Sequence, residues 1–177
     1  KERTCFDTVN SNLIVNIHEG HLDAFVYVLL HESTHIVDAA LNITPHNYLF
    51  NGQDVPDSLV TDFIASIWRQ RTVVSSTLES ILLDSISFRR GGKKLPPEKA
   101  KDVYEALKQT PFVSLYGRNS WHEDLAEYVT VYHLTEKLGQ PFIIIIRNNG
   151  KEIFSYNPMM SALVRNRITQ MSRFYKM

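Results

Sequence analysis

The segment His31-Glu32-Ser33-Thr34-His35 places two histidines four residues apart, with a glutamate directly after the first. On an α-helix, side chains four residues apart lie on one face with Cβ atoms about 5–6 Å apart, so both imidazoles can reach one Zn²⁺ ion. Glu32 is turned away from that face but can reach a water at the metal and take its proton. The spacing therefore predicts a zinc-dependent hydrolytic centre with His31 and His35 as ligands and Glu32 as general base.

The same motif also has a purely structural interpretation, in which the histidines are hydrogen-bonded core residues and Glu32 forms a salt bridge. Apolar residues surround the motif from Leu22 to Asn42, and this pattern predicts a central helix that is buried on nearly every face. Polar groups are costly to bury without partners, and a metal ion on the buried face would explain their presence. We therefore favour the metal-binding interpretation.

A catalytic zinc ion takes three protein ligands and leaves one position for water, so a third ligand must come from elsewhere in the chain. A metzincin-like site would need glycine at position 38 and histidine at position 41, where this chain has Asp38 and Leu41. His46 and, as a thiolate, Cys5 are two weaker candidates. The neighbours of Cys5 do not resemble the motif of deformylase-like enzymes, which use a cysteine ligand.

A better candidate lies in a helix predicted from Ser120 to Leu138, which carries Glu123 and Glu127 on one face. One of the two can bind the metal while the other accepts the second N–H of a ligand histidine. Ser120 and Glu123 also have the spacing of a capping box, in which Glu123 bonds the backbone at the helix start. Spacing alone leaves both roles of Glu123 open.

The stretch YGRNSWHEDLAE, from Tyr116 to Glu127, resembles the third-ligand region of the anthrax lethal factor family of gluzincin metallopeptidases. The related secreted Pro-Pro endopeptidases share the pattern. That family has Tyr-Gly-Arg, a zinc-binding glutamate seven residues after the tyrosine, an Ala-Glu pair, and an aspartate three residues after the second histidine. Tyr116, Glu123, Ala126-Glu127 and Asp38 match these features.

The resemblance implies that Glu123 is the third ligand of a single Zn²⁺ ion. It implies that Tyr116 donates a hydrogen bond to the oxyanion of the tetrahedral intermediate, whereas a packed aromatic is the alternative for this residue. It also implies that Asp38 and Glu127 support the site from behind the ligands. The resulting prediction is a zinc endopeptidase of the gluzincin type, with peptides or proteins as substrates. The competing functions are an inactive zincin-like binding module and a zinc hydrolase of a non-peptide amide.

Two departures from the family pattern stand out. Thr34 occupies a position where the family often has glycine, and the interval from His35 to Glu123 is longer than the family usually shows. Substrate preference therefore does not follow from the resemblance. His122 and His133 are predicted to be surface or packing residues and not ligands.

The composition is that of a globular protein of 177 residues, with 44% hydrophobic and 21% charged residues. Lys plus Arg and Asp plus Glu each number 19, so the net charge is zero and a nucleic-acid partner is not indicated. The single cysteine excludes an intrachain disulfide, and no apolar run approaches the roughly 20 residues of a membrane helix. The chain opens with Lys1 and not with Met, which indicates a processed or trimmed form, and together with the family resemblance this favours an exported bacterial protein.

We expect these residues to be positioned by one mostly helical α+β domain, zincin-like, spanning residues 1–177. Its active-site helix is predicted over about 22–42 and its third-ligand helix over about 120–138. A strand is predicted at Leu13–Ile17, with a β-hairpin formed by 142–146 and 152–156 around Asn148-Asn149-Gly150-Lys151. Further helices are predicted over 58–69, 77–86, 97–109 and 159–175, and the basic stretch 89–94 is predicted to be a solvated turn.

Overall fold

The computed structural model of the protein describes residues 2–7, 11–21, 24–46, 52–88 and 94–175. The described part of the chain has an α+β architecture, as predicted. Its α-helices are α1 (Ala24–Leu41), α2 (Ile81–Asp84), α3 (Ala100–Leu107), α4 (Trp121–Tyr132) and α5 (Ala162–Arg165). Its strands are β1 (Leu13–His18), β2 (Trp68–Gln70), β3 (Val73–Val74), β4 (Ile143–Asn148) and β5 (Lys151–Tyr156).

The main sheet has three antiparallel strands in the order β1-β4-β5. Leu13 of β1 lies opposite Asn148 of β4, and β4 and β5 form the predicted hairpin. Asn149 and Gly150 have φ values of 49° and 77°, which is the left-handed conformation that a two-residue hairpin turn requires. The predicted strand and the predicted hairpin are both confirmed, and they belong to one sheet.

The most deeply buried helix is α4, in which ten of twelve residues are buried. It begins at the predicted residue, with Ser120 as its N-cap, and continues as a π-helical turn over His133–Lys137. Gly139 follows with φ 61°, which suits the predicted termination of the helix. The predicted helix over 97–109 is also confirmed in shorter form, as a 3₁₀ turn at Pro97–Lys99 followed by α3.

Helix α1 lies where the sequence predicts it, but the prediction that nearly all of its faces are buried is wrong. Phe25 and Ile36 are 68% and 72% exposed, whereas the buried residues of α1 are His31, Thr34 and Asp38. Only one face of α1 packs against α4, and that face carries the polar residues. Their burial is tolerated because each has a polar partner. His31 faces Glu123 of α4, Thr34 donates to the Leu30 carbonyl within α1, and Asp38 is bonded by the following loop and by α4.

The helix predicted over 58–69 is wrong. A 3₁₀ turn at Asp57–Leu59 and tight turns over 62–67 lead instead into β2, which pairs with β3. Ser66 adopts φ 64°, which interrupts any helix at this point. The tight turns still bury Phe63 and Ile64, so the apolar pattern is satisfied without a helix.

Two more predicted helices are only fragments. The segment 77–86 contains the end of a 3₁₀ turn and the four residues of α2. The segment 159–175 is divided into a 3₁₀ turn, α5 and a second 3₁₀ turn at Ile168–Arg173. The break after α5 turns Arg167 inward onto Asp124, and this buried ion pair explains why one straight helix does not form.

Of the predicted basic turn over 89–94, only Lys94 lies within the described residues, and it is exposed. Within the described ranges, no helix combines the length and apolar character needed to cross a bilayer.

Candidate metal centre

Packing of α1 against α4 brings His31, His35 and Glu123 together. The Nε2 atom of His31 lies 3.0 Å from Glu123 Oε2, and His35 Nε2 lies 3.7 Å from the same oxygen. The two imidazole rings are nearly perpendicular, with centroids 5.0 Å apart. We call these three residues the His31 centre. Three potential ligand atoms, one from each residue, lie within 4.8 Å of one another, as binding of one metal ion requires.

Glu127 lies behind His31, on the side away from Glu123. Its Oε1 atom is 3.0 Å from His31 Nδ1, within ion-pair distance, so the carboxylate charge favours a proton on that nitrogen. The Tyr27 hydroxyl lies 2.8 Å from both Glu127 oxygens as a donor, and Ser114 Oγ donates to Oε2 at 2.7 Å. A proton on Nδ1, next to the Glu127 carboxylate, makes the lone pair of Nε2 available to a metal ion, whereas without an ion Nε2 lies within hydrogen-bond distance of Glu123 Oε2.

The start of α4 answers the question that the capping-box spacing left open. Ser120 Oγ accepts a hydrogen bond from the backbone N–H of Glu123 at 3.3 Å, so Ser120 caps the helix. The side chain of Glu123 turns to the histidines. Ser120 therefore provides the cap, and the side chain of Glu123 remains available as a candidate ligand.

The electrostatics of Glu123 suit a metal ligand. Burial by itself would raise the pKa of this carboxyl group, but hydrogen bonds and charge interactions with His31 and His35 outweigh it and hold the pKa well below its usual range. Glu123 therefore keeps its negative charge in this environment, and a ligand set must be deprotonated to bind a metal.

Tyr116 and Glu32 flank the His31 centre. The Tyr116 ring lies 5.9 Å from that of His31, and burial together with the nearby negative charges of Glu123, Glu127 and Glu32 raises its pKa. The phenol therefore keeps its proton at neutral pH and can donate a hydrogen bond. Glu32 is exposed, while the side chains of His35 and Glu123 are 28% and 20% exposed, so this side of the centre is open to solvent.

Asp38 is fully buried, and its contacts run to the loop after α1 and to α4. It accepts hydrogen bonds from the backbone N–H and the hydroxyl of Thr44, at 2.7 and 2.6 Å, and from His122 Nδ1 at 3.1 Å. These hydrogen bonds outweigh burial and lower the pKa of Asp38. Asp38 is thus linked to the His31 centre through His122, the residue before Glu123, and supports the start of α4.

The two weaker candidates for a third ligand lie elsewhere. His46 Nε2 is 2.9 Å from Asp38 Oδ2, one helical turn beyond the His31 centre. Cys5 is buried in the core near Leu95, and burial raises the pKa of its thiol. A buried protonated thiol is not a metal ligand.

Sequence reasoning missed Tyr27 and Ser114, which hold Glu127 in place. A signal existed for Tyr27, because it precedes His31 by four residues and so shares its face of α1. Ser114 lies in an irregular segment, where spacing carries no information about direction.

Two imidazole nitrogens and one carboxylate oxygen, partly open to solvent and braced from behind by Glu127, form a donor set suited to a divalent metal ion. Comparison of the chain with protein-family models, with curated proteins and with solved structures gives no match, so this geometry is the foundation of any functional assignment.

Proposed function

We propose that this protein is a zinc metallopeptidase of the gluzincin type, with a zincin-like fold and with His31, His35 and Glu123 as the zinc ligands. The observation that carries the proposal is the position of the Glu123 carboxylate, 3.0 Å from His31 Nε2 although the two residues lie on different helices. Imidazole nitrogens with one carboxylate are typical of catalytic zinc, whereas calcium and magnesium sites are built from oxygen ligands.

A bound Zn²⁺ ion supplies Lewis acidity that activates water and polarises a carbonyl group. Glu32 accepts a proton from the attacking water and returns it to the leaving amine. Tyr116 donates its hydroxyl proton in a hydrogen bond to the oxyanion that develops on the scissile carbonyl. Glu127 keeps the His31 ring oriented throughout.

Two features of the open side, together with the sequence resemblance, favour an endopeptidase over a binding module. Glu32 is exposed to solvent and thus accessible to a substrate. The phenol of Tyr116 is held in its protonated form by burial and by its acidic neighbours. The resemblance of residues 116–127 to the lethal factor family adds support from the sequence. A module that only binds zinc has no need for either side chain.

The test is cleavage of an undirected peptide library by zinc-loaded protein, read by mass spectrometry, with metal content measured on the same samples. We expect the wild-type protein to cleave peptides. Glu32→Gln should lower the rate by about 10²–10⁴-fold, the usual contribution of a general base, while zinc content stays unchanged. Glu98→Gln, which alters an exposed glutamate on a different element, is the matched control and should cleave like the wild type.

Full activity of Glu32→Gln would refute the role of Glu32 as general base. Failure of the zinc-loaded wild type to cleave any library peptide would refute the peptidase proposal and favour the binding module.

A further inference from the structure

A second group of metal-binding residue types lies next to the His31 centre. Asp38, His46 and His122 each offer a ligand atom, and these atoms lie within 4.8 Å of one another. We call these residues the Asp38 cluster. Asp38 follows His35 by three residues on α1, a rise of about 4.5 Å along the helix. His46 belongs to the loop after α1, and His122 belongs to the first turn of α4.

The Asp38 carboxylate divides its two oxygens between separate tasks. Oδ1 accepts the backbone N–H of Thr44 at 2.7 Å, which fixes the orientation of the carboxylate. Oδ2 accepts the Thr44 hydroxyl at 2.6 Å and also faces both histidines, at 2.9 Å from His46 Nε2 and 3.1 Å from His122 Nδ1. The two imidazole rings lie 4.4 Å apart. The Thr44 hydroxyl is 2.7 Å from His122 Nδ1 and so provides a further oxygen at the same point.

His46 Nε2 has an unusual environment. It is buried and close to Oδ2, yet among the described residues it makes no hydrogen bond of acceptable geometry. A buried nitrogen without a hydrogen bond is costly, and one that converges with a carboxylate and a second imidazole can be satisfied by a shared metal ion. The side chain is 27% exposed, so an ion can enter from solvent.

We propose that Asp38, His46 and His122 bind a second divalent metal ion of the zinc class, one turn along α1 from the His31 centre. Two imidazole nitrogens and one carboxylate oxygen are a donor set that zinc uses readily. The ion ties the end of α1, the following loop and the start of α4 together. It therefore holds the backbone from which Glu123 reaches the His31 centre.

Binding of an ion at His122 Nδ1 has a structural consequence at Trp121. A neutral imidazole that ligates through Nδ1 carries its proton on Nε2, and the Trp121 indole N–H now donates to that nitrogen at 3.1 Å. The indole must change its hydrogen-bond partner when the ion binds. Trp121 is buried, so its fluorescence reports occupancy of the Asp38 cluster, while Trp68, bonded to Asp124, gives a constant background.

The experiment measures zinc content in a background without the His31 centre. His35→Ala protein is loaded with Zn²⁺ alone and dialysed against metal-free buffer, and its zinc content per chain is then measured by inductively coupled plasma mass spectrometry. We expect about one retained equivalent and a change in tryptophan fluorescence on loading. Adding His46→Ala should abolish both signals. His18→Gln, added to His35→Ala instead, changes an exposed histidine at the end of β1 and should leave both signals intact.

Retention of the same zinc content by the His35→Ala/His46→Ala protein would overturn the proposal, as would absence of zinc from the His35→Ala protein. A far-UV circular dichroism spectrum checks that each variant is folded, and His46→Gln, which keeps most of the side-chain volume, replaces His46→Ala if that variant unfolds. The experiment does not measure peptide cleavage. Failure of the second-metal proposal can therefore be distinguished from failure of the peptidase proposal.

Discussion

Two buried carboxylates on α4, Asp124 and Glu127, lie about one turn apart and are held in different ways. The Asp124 carboxylate accepts hydrogen bonds from both Nη atoms of Arg167, at 2.9 and 2.8 Å, and from the indole N–H of Trp68 at 3.0 Å. The Glu127 carboxylate accepts hydrogen bonds from the neutral hydroxyl groups of Tyr27 and Ser114, and it faces the His31 ring. A guanidinium cancels the charge of its carboxylate, whereas neutral donors leave a carboxylate able to polarise a neighbouring imidazole.

The surroundings of each carboxylate agree with this difference. The Arg167 guanidinium lies over the rings of Phe63 and Tyr128, 4.3 and 4.9 Å from their centroids, and so fastens the C-terminal segment to the core. Glu127 connects α1, α4 and the segment at Ser114 around a candidate metal ligand. The comparison suggests that Asp124 serves stability and Glu127 serves the site, and three changes to buried carboxylates test it.

The largest effect is expected for Asp124→Ala. The change leaves the Arg167 guanidinium buried and unpaired, and breaking a buried ion pair in this way costs about 3–5 kcal/mol of unfolding free energy. Urea unfolding measures this loss. Asp102→Ala, at an exposed ion pair with Lys99, is the control and should change stability by less than about 1 kcal/mol. A similarly small loss for Asp124→Ala would remove the distinction between the two carboxylates.

Glu2 extends the comparison, because it is a buried carboxylate whose hydrogen bonds from the described residues come from neutral donors, the Tyr104 hydroxyl at 2.7 Å and the Tyr116 N–H at 3.1 Å. Burial, with a smaller contribution from the charge of Glu127, raises its pKa from 4.5 to about 7. Between these values the unfolded chain is ionised while the folded protein keeps the proton. Stability should therefore fall as pH rises from about 4.5 to about 7.

The loss over this interval can reach roughly 3 kcal/mol. Glu2→Gln removes the titrating group and should flatten that part of the profile, so the variant gains stability relative to wild type toward pH 8. Urea unfolding of both proteins from pH 4 to pH 8 provides the measurement. Equal slopes in the two proteins would show that Glu2 is not the source.

The smallest effect is expected for Glu127→Gln. The amide keeps the shape and an acceptor but loses the charge that holds the His31 proton, and such changes behind a metal ligand lower metal affinity about 10-fold or more. Competition titration with a zinc-binding dye measures this. Stability should change much less than in Asp124→Ala. Unchanged affinity with a large loss of stability would assign Glu127 a structural role.

The parts of the candidate site whose arrangement could be predicted from the sequence follow from local spacing. His31, Glu32 and His35 lie within two turns of one helix, and the helical period alone sets their relative directions. The hairpin followed in the same way from Asn149-Gly150, whose positive φ values only a few residue types accept. The placement of Glu123 beside the histidines depends on packing, and family resemblance, not spacing, indicated it.

The errors arise where long-range contacts decide. The high apolar content of α1 predicted a buried helix, but composition does not say which face of a helix is buried. The face with His31 and Asp38 lies inward because the partners of these residues lie on α4 and in the following loop. The C-terminal helix is interrupted where Arg167 reaches Asp124, a pair distant in sequence. The proximity of His46 and His122 is likewise a property of the tertiary fold that neither segment reveals alone.

The hydrogen bond between Ser120 and the backbone of Glu123 has a consequence for the entropy of ion uptake. A free glutamate side chain loses about 1.5–2 kcal/mol of rotamer freedom when it is fixed, and its backbone loses a comparable amount. Here the cap immobilises the backbone and the contact with His31 restricts the side chain during folding. The incoming ion therefore meets a ligand that is already ordered, and little of its binding free energy is consumed in arranging the chain.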